Sequence, residues 1–139
     1  MTQAAKLLYT AKAHTSGGRE GTSRTDDNRL NVELSTPGTK PTGTNPEQLF
    51  AVGWSACFLS ALQLIAAKRK IVFSAPATDD VEVDLLLSNQ DGFSLRVRHN
   101  ITLPGVDSDT ARALVEEGHR TCPYSKATHG NIEVETRIL

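Results

Sequence analysis

Two thiols are the residues in this chain best suited to chemistry: Cys57, set inside a nearly unbroken apolar run, and Cys122, followed directly by Pro123. They stand 65 positions apart, a separation that matches no zinc-ribbon or CxxC spacing. A metal site would need Cys57, Cys122, His119 and His129 to converge in space, and nothing local supports that coordination, so no metal is expected. In a reducing compartment two cysteines point to redox or nucleophilic chemistry rather than to a structural bridge. Taken by itself, Cys57 reads equally well as one more small hydrophobe, which is what buried cysteines commonly are. Cys122 has a more specific neighbourhood, because Pro-Tyr-Ser-Lys after it suits the start of a new helical turn whose exposed amides favour a thiolate.

The element that must position Cys57 is the stretch from Thr44 to Lys70. Asn45 is a good N-cap, Pro46 fits the first helical position, where its missing N–H would be unpaired anyway, and Glu47 and Gln48 place acceptors over the open amides. Lys68, Arg69 and Lys70 gather at the far end, where cations complement the helix dipole, and Ile71 and Val72 break the pattern. From Leu49 to Ala67 only Ser55, Ser60 and Gln63 are polar, so the helix is expected to be buried nearly all round at the centre of the fold. Its length would also cross a bilayer, but the run is rich in Ala, Gly and Ser and has no second span beside it, so no membrane partner is expected. Gly53, Ser55, Ala56, Ser60 and Ala61 instead allow a second backbone, such as a second copy of the helix, to approach closely. Such a helix needs more cover than one small domain supplies, and a homodimer follows as the expected assembly.

A chain of 139 residues with net charge −1 bounds the rest: one domain spanning 1–139, with no basic surface to favour nucleic acid. The first residues show no signal-peptide apolar region, so a cytoplasmic location is expected. Residues Lys6 to His14 read as a strand, turned at Ser16, Gly17 and Gly18 into a hairpin, and Arg29 to Ser35 alternate as a half-buried strand. Thr36 to Gly43 form a loop. Val81, Val83, Leu85 and Leu87 alternate with polar residues, Asn89 to Gly92 turn the chain, and Phe93, Leu95, Val97, His99, Ile101 and Leu103 continue the alternation, giving an antiparallel hairpin. Asp107 or Ser108 caps a second helix with Ala111, Leu114, Val115 and Gly118 on one face, and Pro123 stops or bends it near Cys122. Ile132, Val134, Thr136 and Ile138 form a last strand. The expected class is α+β, an antiparallel sheet wrapped on the long helix.

Four blocks of the chain, LYTAKA at Leu8, GGREG at Gly17, GTNPEQLFAVGWSACF at Gly43 and CPYSKATHGN at Cys122, resemble the signature blocks of the organic hydroperoxide resistance proteins (Ohr) of the OsmC/Ohr superfamily. The likeness covers essentially the whole chain in order. It implies the OsmC/Ohr fold as an intertwined dimer with two sites at the subunit interface. It further implies a peroxidase in which Cys57 is the peroxidatic cysteine, Cys122 the resolving one, and Arg19 and Glu47 the pair that orders the reactive thiol. By the same resemblance the reductant is a dithiol, a lipoyl group on a partner protein, and no cofactor is held. Trp54 stands where Tyr is frequent in the family, and Lys126 and His129 replace commoner residues.

The residues themselves accommodate that chemistry. Cys57 lies about three turns inside its helix, so burial raises its pKa and the dipole cannot offset the rise. One guanidinium at about 4 Å and an effective dielectric near 20 is worth about 4 kcal/mol, or about 3 pKa units, enough to compensate. Arg19 is the candidate, although by itself it reads as an exposed hairpin arginine. Glu47 is about 15 Å from Cys57 along an ideal axis and can hold Arg19 rather than touch the thiol. Phe50, Trp54 and Phe58 lie within a turn or two of Cys57 and are expected to line an apolar substrate pocket for the tail of an organic hydroperoxide. Two other readings stand beside the peroxidase: a non-enzymatic redox sensor or stress-binding protein of the same fold, and a structural domain with two inert thiols.

Overall fold

The computed structural model describes residues 4–39 and 43–139, which fall into two compact units, 1–46 and 47–139. The N-terminal unit is a three-stranded antiparallel sheet of β1 (Ala13–Ser16), β2 (Thr22–Thr25) and β3 (Asn31–Glu33), in that order. Gly17 and Gly18 both adopt positive φ and turn β1 into a short 3-10 segment, Gly18–Glu20, which carries Arg19. A Cβ on Gly21 would meet the Ser16 carbonyl oxygen, so only glycine lets the turn close this tightly. The strand expected from Lys6 is shorter than the sequence pattern indicated. Pairing starts at Ala13, and Leu7, Leu8 and Tyr9 are exposed, because no strand among the described residues lies beside them to complete a ladder. Part of the loop from Thr36 to Gly43, residues 40–42, lies outside the described residues.

The C-terminal unit opens with α1 (Pro46–Lys68), followed by β4 (Thr78–Ser88), β5 (Gly92–Thr102), α2 (Ser108–Thr121), α3 (Pro123–Thr128) and β6 (Glu133–Ile138). Proline takes the first helical position of α1, as its geometry favours. The helix ends with Lys70 at positive φ, the Lys70 N–H donating to the Ala67 carbonyl and the Ile71 N–H to the Ala66 carbonyl. This is a Schellman closure made without the usual glycine. In one chain α1 is not buried all round. Trp54, Phe58, Ala61, Leu62, Ile65 and Ala66 form a single buried stripe, while Val52 and Leu64 on the other side are exposed. The helix is long and apolar enough to cross a bilayer, yet its stripe is the core of this unit, which marks it as a core helix.

Strands β4 and β5 pair antiparallel from Thr78↔Thr102 to Ser88↔Gly92, with Gly92 at positive φ in the tight turn. On the exposed face Asp84 receives Arg96 at 2.8 Å and Arg98 at 2.7 Å, and these hydrogen bonds hold its carboxyl down at about 2. The inward face sends Val97, His99 and Ile101 into the core. The sheet is mixed rather than antiparallel throughout: β6 pairs parallel to β5, from Arg96↔Glu133 to Ile101↔Ile138. The connection through α2 and α3 makes this possible, since a parallel neighbour needs a crossover and a tight turn cannot supply one. Asp107 caps α2 by accepting from the Thr110 N–H at 3.0 Å. Ala111, Leu114, Val115 and Gly118 form the buried face of α2, and a Cβ on Gly118 would sit 2.7 Å from Leu62 Cδ2 and 3.1 Å from Phe58 Cε2. Glycine there brings α2 close against the helix that carries Cys57.

Candidate active site

Cys122 owes its position to the proline that follows it. Pro123 has no N–H to continue the α2 ladder and pushes the preceding residue out of the helical region, so Cys122 takes φ −65° and ψ 122°. It closes α2 by donating its N–H to Gly118 O at 2.8 Å and opens α3 by accepting from the Lys126 N–H at 3.0 Å. That extended residue between two helices turns its side chain to α1. Cys122 Sγ donates to Cys57 Sγ at 3.3 Å, both thiols are free, and Cys122 is fully buried while Cys57 keeps some surface. A disulfide needs about 2.05 Å between sulfurs, so only a little over about 1 Å of closing motion separates this arrangement from a bond.

Burial pushes the Cys57 thiol above its ordinary pKa, and the hydrogen bond with Cys122 adds to the rise. The backbone N–H of Tyr124, in the first turn of α3, acts in the opposite direction. The open amide of α3 therefore favours a thiolate on Cys57, across the gap, whereas the chain pattern suggested it for Cys122. Within this unit the balance keeps Cys57 protonated near neutrality, so activation needs a further positive charge.

Behind the sulfurs the aromatic residues form a packed cluster. Phe50 meets the Trp54 ring edge-on at 5.5 Å between centroids, Trp54 meets His99 at 4.6 Å, and Phe58 stacks on His119 at 4.4 Å. Trp54 and Phe58 have no exposed surface, whereas Phe50 is half-buried and can still meet a ligand. Arg19 lies in the N-terminal unit, in its 3-10 turn, and Glu47 in the first turn of α1, ten residues before Cys57.

Five polar residues behind the thiols, Ser125, His119, Thr136, His99 and Asp79, were not singled out together by the chain pattern. Trp54 Nε1 donates to Ser125 Oγ at 3.0 Å, His119 Nδ1 lies 2.9 Å from the same oxygen, and His119 Nε2 lies 2.8 Å from Thr136 Oγ1. His99 Nδ1 sits 2.7 Å from Asp79 Oδ2, both side chains fully buried, with Asp79 Oδ1 and His99 Nε2 lacking a hydrogen-bond partner among the described residues. The available signal was a histidine at an inward position of the β5 alternation and another on α2, one residue after the inward Gly118. Burial, and then His99, push the His119 pKa down to about 4, so its ring is neutral near pH 7. Among the described residues no three His, Cys, Asp or Glu side chains gather as a metal site.

Comparison with known proteins places this geometry in a family context. The family model for OsmC-like proteins matches residues 37–137. An organic hydroperoxide resistance protein of Xanthomonas axonopodis pv. citri is 42% identical over 138 residues, covering 96% of this chain and 96% of that protein. The crystal structure of the organic hydroperoxide resistance protein OhrB of Bacillus subtilis superposes with a TM-score of 0.89 at 37% identity, covering 96% of this chain and 100% of that one. A Legionella pneumophila organic hydroperoxide resistance protein gives a TM-score of 0.90 at 39% identity, over 96% of this chain and 98% of that one.

Proposed function

This chain belongs to the OsmC-like family, among the organic hydroperoxide resistance proteins, and from that membership we propose that it is a cysteine-based peroxidase that reduces organic hydroperoxides. The observation that carries the reading is the approach of Cys57 and Cys122, 65 positions apart in the chain, to 3.3 Å. The Cys57 thiolate attacks the terminal oxygen of ROOH. The O–O bond breaks, sulfur is oxidised to the sulfenic acid, and the alkoxide takes a proton to leave as ROH. Cys122 then attacks the sulfenic sulfur, releasing water and forming the Cys57–Cys122 disulfide. A dithiol, for which the family likeness suggests a lipoyl group, returns both thiols by exchange and leaves as its own cyclic disulfide.

The raised pKa of Cys57 makes a nearby cation a requirement of this mechanism. Arg19 is proposed to supply it and Glu47 to hold the guanidinium. Its N–H groups can also serve the departing oxygen, where charge builds in the transition state. Phe50 forms the accessible apolar wall for the tail of the peroxide, with Trp54 and Phe58 as the packed support behind it. We also propose a homodimer: Val52, Ala56, Ser60 and Leu64 make an exposed, largely apolar and small-residue face along α1 that fits a second copy of the helix.

The decisive experiment compares single-cysteine variants. Cys57→Ser should abolish turnover, whereas Cys122→Ser should reduce about one peroxide per subunit and then stall or over-oxidise. Equal residual activity in the two variants would overturn the assignment.

A further inference from the structure

We propose that Ser125, gripped by Trp54 and His119, is a positioning residue for Cys122, and that this polar clamp sets how readily Cys122 closes a disulfide onto Cys57. The inference rests on the reading of Cys57 and Cys122 as a redox pair and adds to it the group that keeps the second thiol in range.

Cys122 is held by weak local structure. It is the extended residue between α2 and α3, and α3 is six residues long, too short to hold a helical orientation without tertiary support. That support comes from Ser125, which is 5% exposed. One oxygen contacts Trp54 Nε1 at 3.0 Å on α1 and His119 Nδ1 at 2.9 Å on α2, so it joins all three helices around the thiols. The spacing makes the arrangement a register device. Trp54 is three residues before Cys57, and Ser125 is three residues after Cys122, so the polar contact lies one turn away from the sulfur contact. Two contact points between α1 and α3 prevent the short helix from pivoting about either one. On the far side His119 Nε2 reaches Thr136 Oγ1 on β6 at 2.8 Å, which ties the clamp to the sheet.

A neutral His119 satisfies every contact of the clamp, and one of its two tautomers does so with the Ser125 hydroxyl proton and the ring proton both used inside the chain of hydrogen bonds. The Trp54 indole N–H is a donor only, so Ser125 Oγ accepts it. In that tautomer the Ser125 hydroxyl donates to His119 Nδ1 and the His119 Nε2–H donates to Thr136 Oγ1. Burial of the ring, which pushes its pKa down to about 4, keeps it in the neutral form that this pattern needs. Removing the Ser125 hydroxyl takes away the acceptor of a fully buried indole N–H and the partner of His119 Nδ1, so α3 must tilt or admit water. A displacement of about 1 Å at a reacting group can cost about two powers of ten in an intramolecular step, and the closing motion here is itself of that size.

The test measures the thiol–disulfide equilibrium of Cys57–Cys122 in a dithiothreitol redox buffer, without any peroxide, for the wild-type protein, Ser125→Ala and Ser125→Thr. The clamp predicts a disulfide at least about 10-fold less favoured in Ser125→Ala, a potential about 30 mV more oxidising, with Ser125→Thr closer to wild type because it keeps the hydroxyl. A role in packing alone predicts the reverse order, since Ala is the smaller change in a buried site than a β-branched residue. In a single peroxide turnover Ser125→Ala should consume peroxide within about 2-fold of the wild-type rate, close its disulfide about 10-fold more slowly and accumulate more sulfinic acid on Cys57. If Ser125→Ala does not fold, His119→Phe, which keeps an aromatic ring against Phe58 but removes both hydrogen bonds, should show the same direction of shift in the same buffer. A potential unchanged in Ser125→Ala, or Thr no better than Ala, overturns the clamp. A wild-type protein that forms no Cys57–Cys122 disulfide overturns the redox-pair reading and the clamp with it, while activity lost in Ser125→Ala with an unchanged potential overturns the clamp alone.

Discussion

Acidification should expose the cost of charging His119. The ring lies among Phe58, His99, Ser125 and Thr136, and burial first, then the neighbouring His99, push its pKa down to about 4 against partial opposition from Asp79. In the unfolded chain the same imidazole titrates near about 6.5. Because the folded pKa is the lower one, the unfolded chain binds the extra proton. The stability that neutral His119 contributes is therefore fully present above about pH 6.5 and is lost as pH falls to about 4. A fall of about 2.5 in pKa corresponds to about 3.4 kcal/mol at full effect, and the ring keeps some contact with solvent, which screens the charge, so roughly 2 kcal/mol is expected. Urea unfolding of the wild-type protein and of His119→Gln, at about pH 7.5 and about pH 4.5, reads this directly from the midpoints and slopes. Glutamine keeps hydrogen-bonding groups near Ser125 and does not titrate, so the difference between the two proteins reads the charge at position 119. The wild type should lose roughly 2 kcal/mol more than the variant over this interval. Equal losses would refute the neutral, buried state of His119.

Arg19→Ala should raise the kinetic pKa of Cys57 and slow its reaction with peroxide by more than the loss of thiolate explains, with Arg19→Lys restoring little and Glu47→Ala milder in the same direction; stopped-flow rates against pH check this. Organic hydroperoxides such as cumene hydroperoxide should exceed hydrogen peroxide in kcat/KM by at least about 100-fold, about 2.7 kcal/mol, since each buried CH₂ contributes about 0.8 kcal/mol, and dihydrolipoamide should support turnover far better than glutathione. Steady-state assays over a panel of peroxides and thiols measure both, and comparable constants for the two peroxides would remove the apolar wall from the mechanism. Light scattering at assay concentration should find a dimer, and Leu64→Glu on the exposed face of α1 should shift it toward monomer; a fully active wild-type monomer would contradict the assembly.

Much of the local architecture was determined by the sequence alone, because it depends on residues close together in the chain. Pro46 and the basic cluster at Lys68 to Lys70 delimit α1, Asp107 caps α2, the alternation from Val81 to Leu103 builds the β4–β5 hairpin, and Pro123 breaks the chain at Cys122. Each follows from a missing N–H, an open amide or a side-chain period of two or 3.6 residues. The tertiary structure decided what depends on distant partners. It placed Cys122 against Cys57 across 65 residues, paired β6 parallel to β5, and buried one stripe of an α1 that the composition had made apolar on every side. It also joined Trp54, Ser125, His119 and Thr136 in one chain of hydrogen bonds. A serine, a threonine and a histidine carry no periodic signal of their own, and which polar groups satisfy one another in a core is settled only when the elements pack and water is excluded.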